Sequence, residues 1–271
     1  MRKIVVLIFC GGALLAQDSG EKATVPLHDP SRPARIRAHL IAGGITVRGA
    51  AINNVVVETR SQGRGESRER QAARADGMKR LELPGNAGLE VTEEDNVVNI
   101  KTAPSNRPTD LVITVPRRSS LQLKCLNDGD IYVEQVDGEI DADNLNGKVT
   151  LKNVSGSVVA HSLNGAVVVT LDRADAQKPM SFSTLNGDLD VTLPADIRAS
   201  VRMKTDNGDI YSDFEVKLDS GPQTMRNGSG RQQDGTYHLR FDRTLRGTIN
   251  GGGADYQFTT FNGQIYIRKR R

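Results

Sequence analysis

The sequence predicts an all-β chain, a β-solenoid (a single-stranded β-helix-like stack) with coils of about 18–22 residues. Three observations predict it. Glycines fall every nine residues, at Gly129, Gly138, Gly147, Gly156 and Gly165. Asn-Gly pairs recur at 146–147, 164–165, 186–187 and 207–208. Apolar residues alternate between these turns, and few segments show helical periodicity.

The repeat carries side-chain information as well as turns. Asp137-Gly138 and Ser155-Gly156 sit between the Asn-Gly pairs, so the larger period is 18 residues, widening to 22 between Gly165 and Gly187. Two and four residues after each glycine come Ile131/Val133, Ile140/Ala142, Val149/Leu151, Val158/Ala160, Val167/Val169 and Leu189/Val191. Positions two apart on a strand share a face, so these pairs are expected inside. Val136, Leu145, Val154, Leu163 and Leu185, each two residues before a glycine, are expected inside too. An antiparallel meander with Asn-Gly hairpins is the other architecture that fits. The recurrence of like residues in like columns favours the solenoid.

The flanks are read as follows. Residues 1–16 have the cationic start, apolar run and small final residue of a secretory signal peptide, with a lipoprotein signal at Cys10 as the competing reading. Residues 17–34 contain Pro26, Pro30 and Pro33 and read as a flexible leader. Residues 35–271 form the β-solenoid domain, with an irregular β part at 35–116 and the Asn-Gly repeat part at 117–271. The arginine-rich stretch Arg60–Arg74 reads as a solvated insertion, with an acidic partner as its sharper alternative. Residues 218–236 read as a loop or distorted coil, and the terminal Arg268-Lys269-Arg270-Arg271 as charge that blunts the last open edge.

Charge and cysteine usage narrow the function classes. The net charge is +3, and it falls to +1 once Arg2 and Lys3 leave with the signal. That balance excludes the footprint of a general nucleic-acid binder. No second apolar stretch reaches membrane length, so no transmembrane segment is expected in the mature chain. Cys125 remains alone after cleavage, in alternation with Leu121 and Leu123, and reads as a buried strand residue.

No catalytic motif appears. His28, His39, His161 and His238 show no ligand spacing, and no Gly-x-Ser-x-Gly elbow or nucleotide loop is present, so no catalytic residue, metal or cofactor is assigned. One constellation is a candidate binding site. Asp130, Asp188 and Asp209 follow a turn glycine directly, and Tyr132, Tyr211 and Tyr266 stand three residues after one. In register, these columns share an outer face. Carboxylates with tyrosines suit sugars or a divalent cation, and paired carboxylates suit acid–base work on a polysaccharide. Asp after Asn-Gly also serves the turn itself, and Lys148 and Ala166 interrupt the Asp column.

Asp110–Pro116 (DLVITVP), the Asn-Gly-Asp repeats at 186–189 and 207–210, and the closing Gly247–Gly253 (GTINGGG) stand together in this chain. In these segments, over about residues 36–267, it resembles the DUF4097 family of bacterial β-strand-repeat proteins, related to the GIN-type adhesin-like domains. The resemblance implies a β-solenoid in the cell envelope and no established enzymatic activity. The expected function is therefore that of an exported, adhesin-like binding or scaffold surface. It would serve an envelope protein or polysaccharide in the periplasm, at the cell surface or outside the cell. A β-helical polysaccharide-processing enzyme using the Asp column is the alternative.

Overall fold

The computed structural model describes residues 22–61, 89–102, 109–127, 129–219, 230–231, 237–238 and 244–271. The expected signal peptide, the arginine-rich stretch beyond residue 61 and most of the 218–236 segment lie outside the described residues. Among those residues there is no helix.

The strands are β1 (Lys22–Pro26), β2 (Ala34–Ala42), β3 (Ile45–Ala50), β4 (Asn54–Ser61), β5 (Leu89–Glu94), β6 (Val97–Thr102), β7 (Thr109–Pro116), β8 (Ser119–Asn127), β9 (Ile131–Glu134), β10 (Asp137–Asn146) and β11 (Val149–Asn164). They continue as β12 (Val167–Ala174), β13 (Met180–Asn186), β14 (Leu189–Leu193), β15 (Ala199–Asn207), β16 (Ile210–Ser212), β17 (Val216–Leu218), β18 (Gly230–Arg231), β19 (Tyr237–His238), β20 (Leu245–Ile249), β21 (Ala254–Asn262) and β22 (Ile265–Lys269). Neighbouring rungs pair in parallel, as Leu121–Ile140–Val158 and Ile131–Val149–Val167 show, so the Asn-Gly turns are not hairpins. The fold is an all-β, solenoid-like stack.

Among the described residues eight coils build it. In chain order they are coil I (34–50), II (97–116), III (119–134), IV (137–152), V (154–174), VI (180–193), VII (199–212) and VIII (254–269). The first strand of each coil lies on one face of the stack and the second on the other, with β11 turning the corner between coils IV and V. Spatial order departs from chain order at both ends. Coil I sits between II and III, through β6–β2–β8 and β7–β3–β9. Coil VIII sits between VI and VII, through β13–β21–β15 and β14–β22–β16. Phe258 of coil VIII stacks on Phe182 of coil VI with ring centroids 5.2 Å apart, which seats the inserted coil. The terminal arginines therefore do not blunt an outer edge. They end β22, which is paired on both sides, and Arg268 and Arg270 bond Asp190 and Asp172 instead. The outer rungs are covered by antiparallel strands: β5 on β6, β4 and then β1 on β7, and β20 and then β17 on β15. Lys22–Pro26, within the segment read as a leader, is thus a strand on β4.

The pairs two and four residues after each glycine form the core, all buried as expected. The column two residues before glycine splits. Val136 and Val154 are buried, whereas Leu145 and Leu185 are 39% and 41% exposed. The reason is local. Gln135 (φ 57°) and Asn153 (φ 50°) adopt left-handed backbone just before Val136 and Val154, which resets the strand's phase at that corner. Toward the Asn-Gly turns the strand runs on unbroken, so Ile140, Ala142 and Asn144 face inward and Leu145 must face out.

Polar groups thus fill one inward column, and each has a fixed duty. The Asn144 amide nitrogen donates to the Gly129 carbonyl (2.9 Å), Ser162 to Gly147 (2.8 Å), Thr184 to Gly165 (2.8 Å), Thr260 to Gly187 (3.0 Å) and Thr205 to Gly263 (3.0 Å). Cys125 donates its S–H to Gly43 (2.9 Å). Each side chain reaches the turn glycine of the neighbouring coil. The same carbonyl faces that neighbour's own turn glycine: a Cβ on Gly165 would lie 2.2 Å from the Gly147 oxygen, and one on Gly147 2.2 Å from the Gly129 oxygen. Outside, the Asn side chains form a second ladder, Asn207 to Asn262 to Asn186 to Asn164 to Asn146, each amide donating to the next at 2.7–2.8 Å.

Gly165→Ala should destabilise by at least about 2 kcal/mol through overpacking against backbone, measured by urea unfolding. Asn144→Thr should be neutral or stabilising in the same assay. It keeps the donor to Gly129 and removes Asn144 Oδ1, a buried acceptor with no partner. Burial, then the charges of Asp130 and Asp110, push the Cys125 thiol up to about 11. It should therefore resist iodoacetamide at pH 8 in the native state and react once denatured. Tyr256 is buried with an unpartnered hydroxyl, and burial, then Asp175, raises it from 10.0 to about 12. Above pH 10 the unfolded chain gives up this proton first, so stability falls as pH rises from about 10 to 12. Tyr256→Phe should flatten that fall in alkaline denaturation curves and lose no stability at pH 7.

Candidate functional site

The outward columns after the turn glycines lie on the face made by the second strand of each coil. Directly after the glycine the column runs Asp130, Lys148, Ala166, Asp188, Gln264, Asp209 through coils III, IV, V, VI, VIII and VII. Two residues further on it runs Tyr132, Thr150, Val168, Asp190, Tyr266, Tyr211. The insertion of coil VIII brings Asp188, Asp209, Tyr211 and Tyr266 into one patch. Asp130 and Tyr132 stand apart, three coil spacings from coil VI, or about 14 Å at ~4.8 Å per step.

Several of the carboxylates answer to backbone. Asp130 accepts from the Lys148 N–H (2.7 Å), and Asp188 accepts from the Gln264 N–H (2.8 Å). Gln264 continues the series by accepting from the Asp209 N–H through Oε1 (2.9 Å). At coil II, Asp110 does the same for the Gly44 N–H (2.7 Å). Each side chain clips its turn to the next, which is possible because a parallel stack leaves the N–H after each turn glycine pointing along the axis.

The patch at coils VI, VIII and VII has its own geometry. Tyr211 and Tyr266 stack with centroids 5.3 Å apart and planes 11° from parallel. The Arg268 guanidinium lies 5.1 Å from the Tyr266 centroid and bonds Asp190 at 2.7 Å. The Tyr211 hydroxyl is 3.5 Å from Asp209 Oδ2, whose charge holds the phenol above its usual range, with burial and Tyr266 adding to it. Tyr211 is 50% exposed. Tyr132 has a different setting, under Lys152 at 5.6 Å, and burial followed by Glu134 raises its phenol.

Arg268 and Gln264 belong to this patch and were not legible as such, because the sequence gives no sign that coil VIII inserts beside coil VI. His161 bonds the Ser183 hydroxyl through Nδ1 (2.9 Å) on the opposite face, far from the tyrosines. Among the described residues no three His, Cys, Asp or Glu side chains converge as a metal site. Nor do the described residues contain a helix long and apolar enough to cross a membrane. The opposite face carries a shallow groove of about 430 Å³ over Ser181, Arg202, Arg246 and Asp255.

A comparison with curated proteins finds no match. Among solved structures, a candidate cell adhesion protein from Clostridium sporogenes ATCC 15579 is similar at 9% identity and a TM-score of 0.42, over 93% of this chain and 100% of that one. A candidate adhesin from Bacteroides fragilis NCTC 9343 is similar at 11% identity and a TM-score of 0.42, over 94% and 98%. Likenesses at these values say nothing of ligand or activity. Residues 110–250, more than half of the chain, match the family described as Toastrack DUF4097, taking in the repeat from β7 to β20. The chain belongs to the Toastrack DUF4097 family.

Proposed function

We propose that this chain is an exported, non-catalytic, adhesin-like protein that gives a rigid binding or scaffold surface in the bacterial cell envelope. Its repeating unit is a coil of about 18–22 residues, the step between the paired rungs of coils IV, V and VI. One observation carries the reading. The outward carboxylates at Asp130 and Asp188 are engaged as acceptors for backbone of the next coil, so they fix the surface. An acid–base pair needs both carboxyl groups directed at one scissile bond. The apolar start of the sequence supports export. A stack whose rungs are cross-linked by side chains on both sides of the turn supports a surface that holds its shape when a partner docks.

The test is a pull-down of residues 17–271 against purified envelope polysaccharide, lipid vesicles and detergent-solubilised membrane protein, with a glycan-turnover assay in parallel. Retention of one fraction without turnover is the expected result. Release of new reducing ends from any glycan, lost in Asp188→Ala or Asp209→Ala, would establish the polysaccharide-processing enzyme in its place.

A further inference from the structure

Along the asparagine column, and at Asp130, Asp188 and Gln264 in the column after the turn glycine, each outward acceptor is met by a donor from the next coil, until coil VII. Asn207 gives its amide hydrogens to Asn262 Oδ1 (2.8 Å), and no described group donates to its own Oδ1. The Asp209 carboxylate occupies the column position of Asp130 and Asp188, yet no backbone N–H of the described residues reaches it. Its one contact among the described residues is the Tyr211 hydroxyl at 3.5 Å. Among the described residues strand β16 pairs with β22 on one side only. Tyr211 stacks on Tyr266, and among the described residues no further coil covers its other side. Three ladders therefore end at one place: an amide ladder, a carboxylate ladder and an aromatic stack.

The occupant that fits must bring donors and an apolar, weakly positive face. A second copy of the chain does not. Two coil VII ends meeting about a two-fold axis would set Asp209 and Asn207 acceptors against their own kind. A head-to-tail contact meets a coil II end already covered by β5 and β4. A hard cation wants six or more oxygens, more than this end supplies. A pyranose ring has the required chemistry. Its axial C–H groups lie on the negative face of a tyrosine ring, and its hydroxyls donate to carboxylate and amide oxygens at the ring's edge. The geometry points to a carbohydrate site at the coil VII end of the stack, where Tyr211 supplies the stacking face and Asp209 and Asn207 accept from sugar hydroxyls. This rests on the reading of the chain as a binding protein and names the ligand class of its surface.

The test uses residues 17–271 with three neutral probes, the hexasaccharides of glucose (β-1,4), N-acetylglucosamine (β-1,4) and xylose (β-1,4), and the open-chain polyol sorbitol as control. Binding is read by calorimetry and by tyrosine emission, which no tryptophan obscures. Saturable binding of at least one hexasaccharide and none of sorbitol is expected, weakened tenfold or more in Tyr211→Ala and at least threefold in Asp209→Ala. Leu145→Ala, on the outer corner of coil IV, should bind as the parent does. Circular dichroism shows whether each variant keeps its strands, and Tyr211→Phe, which retains the ring, should keep most of the affinity. Sugar binding unaffected by Tyr211→Ala overturns the site. So does capture of an envelope protein through β16 with no sugar bound, but that result leaves the binding-protein reading standing. A chain that holds no sugar and no envelope fraction overturns both.

Discussion

The close approach of one turn glycine to the carbonyl of the next is the constraint on which the stack depends. At ~4.8 Å between rungs, the corner has room for a backbone oxygen and no Cβ. That oxygen is buried and must be paired. The neighbouring coil supplies the donor from three residues before its own glycine, or four for Cys125 before Gly129, and its chemistry varies: thiol, amide or hydroxyl. Glycine at the turn and a short donor three or four residues earlier are thus one requirement, imposed on successive coils by the same oxygen.

The donor column explains why so much of the repeat is polar without loosening the core. Net, each such bond contributes on the order of 1 kcal/mol, but an unmade one leaves a buried carbonyl costing about 1–3 kcal/mol. The asymmetry fixes register. A coil slipped by one residue would set an apolar Leu145, Leu163 or Leu185 against the glycine oxygen and carry the core residues outward. The outer asparagine ladder acts in the same direction, since each interior amide has one partner above and one below.

Much of this was legible in the residues. The glycine period, the Asn-Gly turns and the apolar pairs after them mark local geometry, which nearby sequence controls, and the parallel stack followed from like residues in like columns. Leu145 and Leu185 were misplaced because the column was read as one: Gln135 and Asn153 reset the strand phase before Val136 and Val154 through left-handed backbone, a conformation for which glutamine carries little sequence signal, and no such reset precedes the leucines. The order of the coils was hidden for another reason. Coil VIII reaches its place through contacts such as Phe182 with Phe258, 76 residues apart, and period alone has no term for such distant pairing. The candidate site shares that fate: its columns could be read from spacing, but the adjacency of Tyr211 to Tyr266 depends on the inserted coil.

Interleaving at both ends also changes how the molecule is put together and taken apart. A stack built in chain order could grow one rung at a time, each finding its surface already formed. Here coil VII must wait for coil VIII, made more than forty residues later, before either of its strands gains its parallel neighbour. Assembly of that end is therefore late and cooperative, as long loop closures are. The converse holds under load. A pull on the final strand does not peel an outer layer but shears a rung held from both sides, so the end of the chain is anchored in the body of the stack.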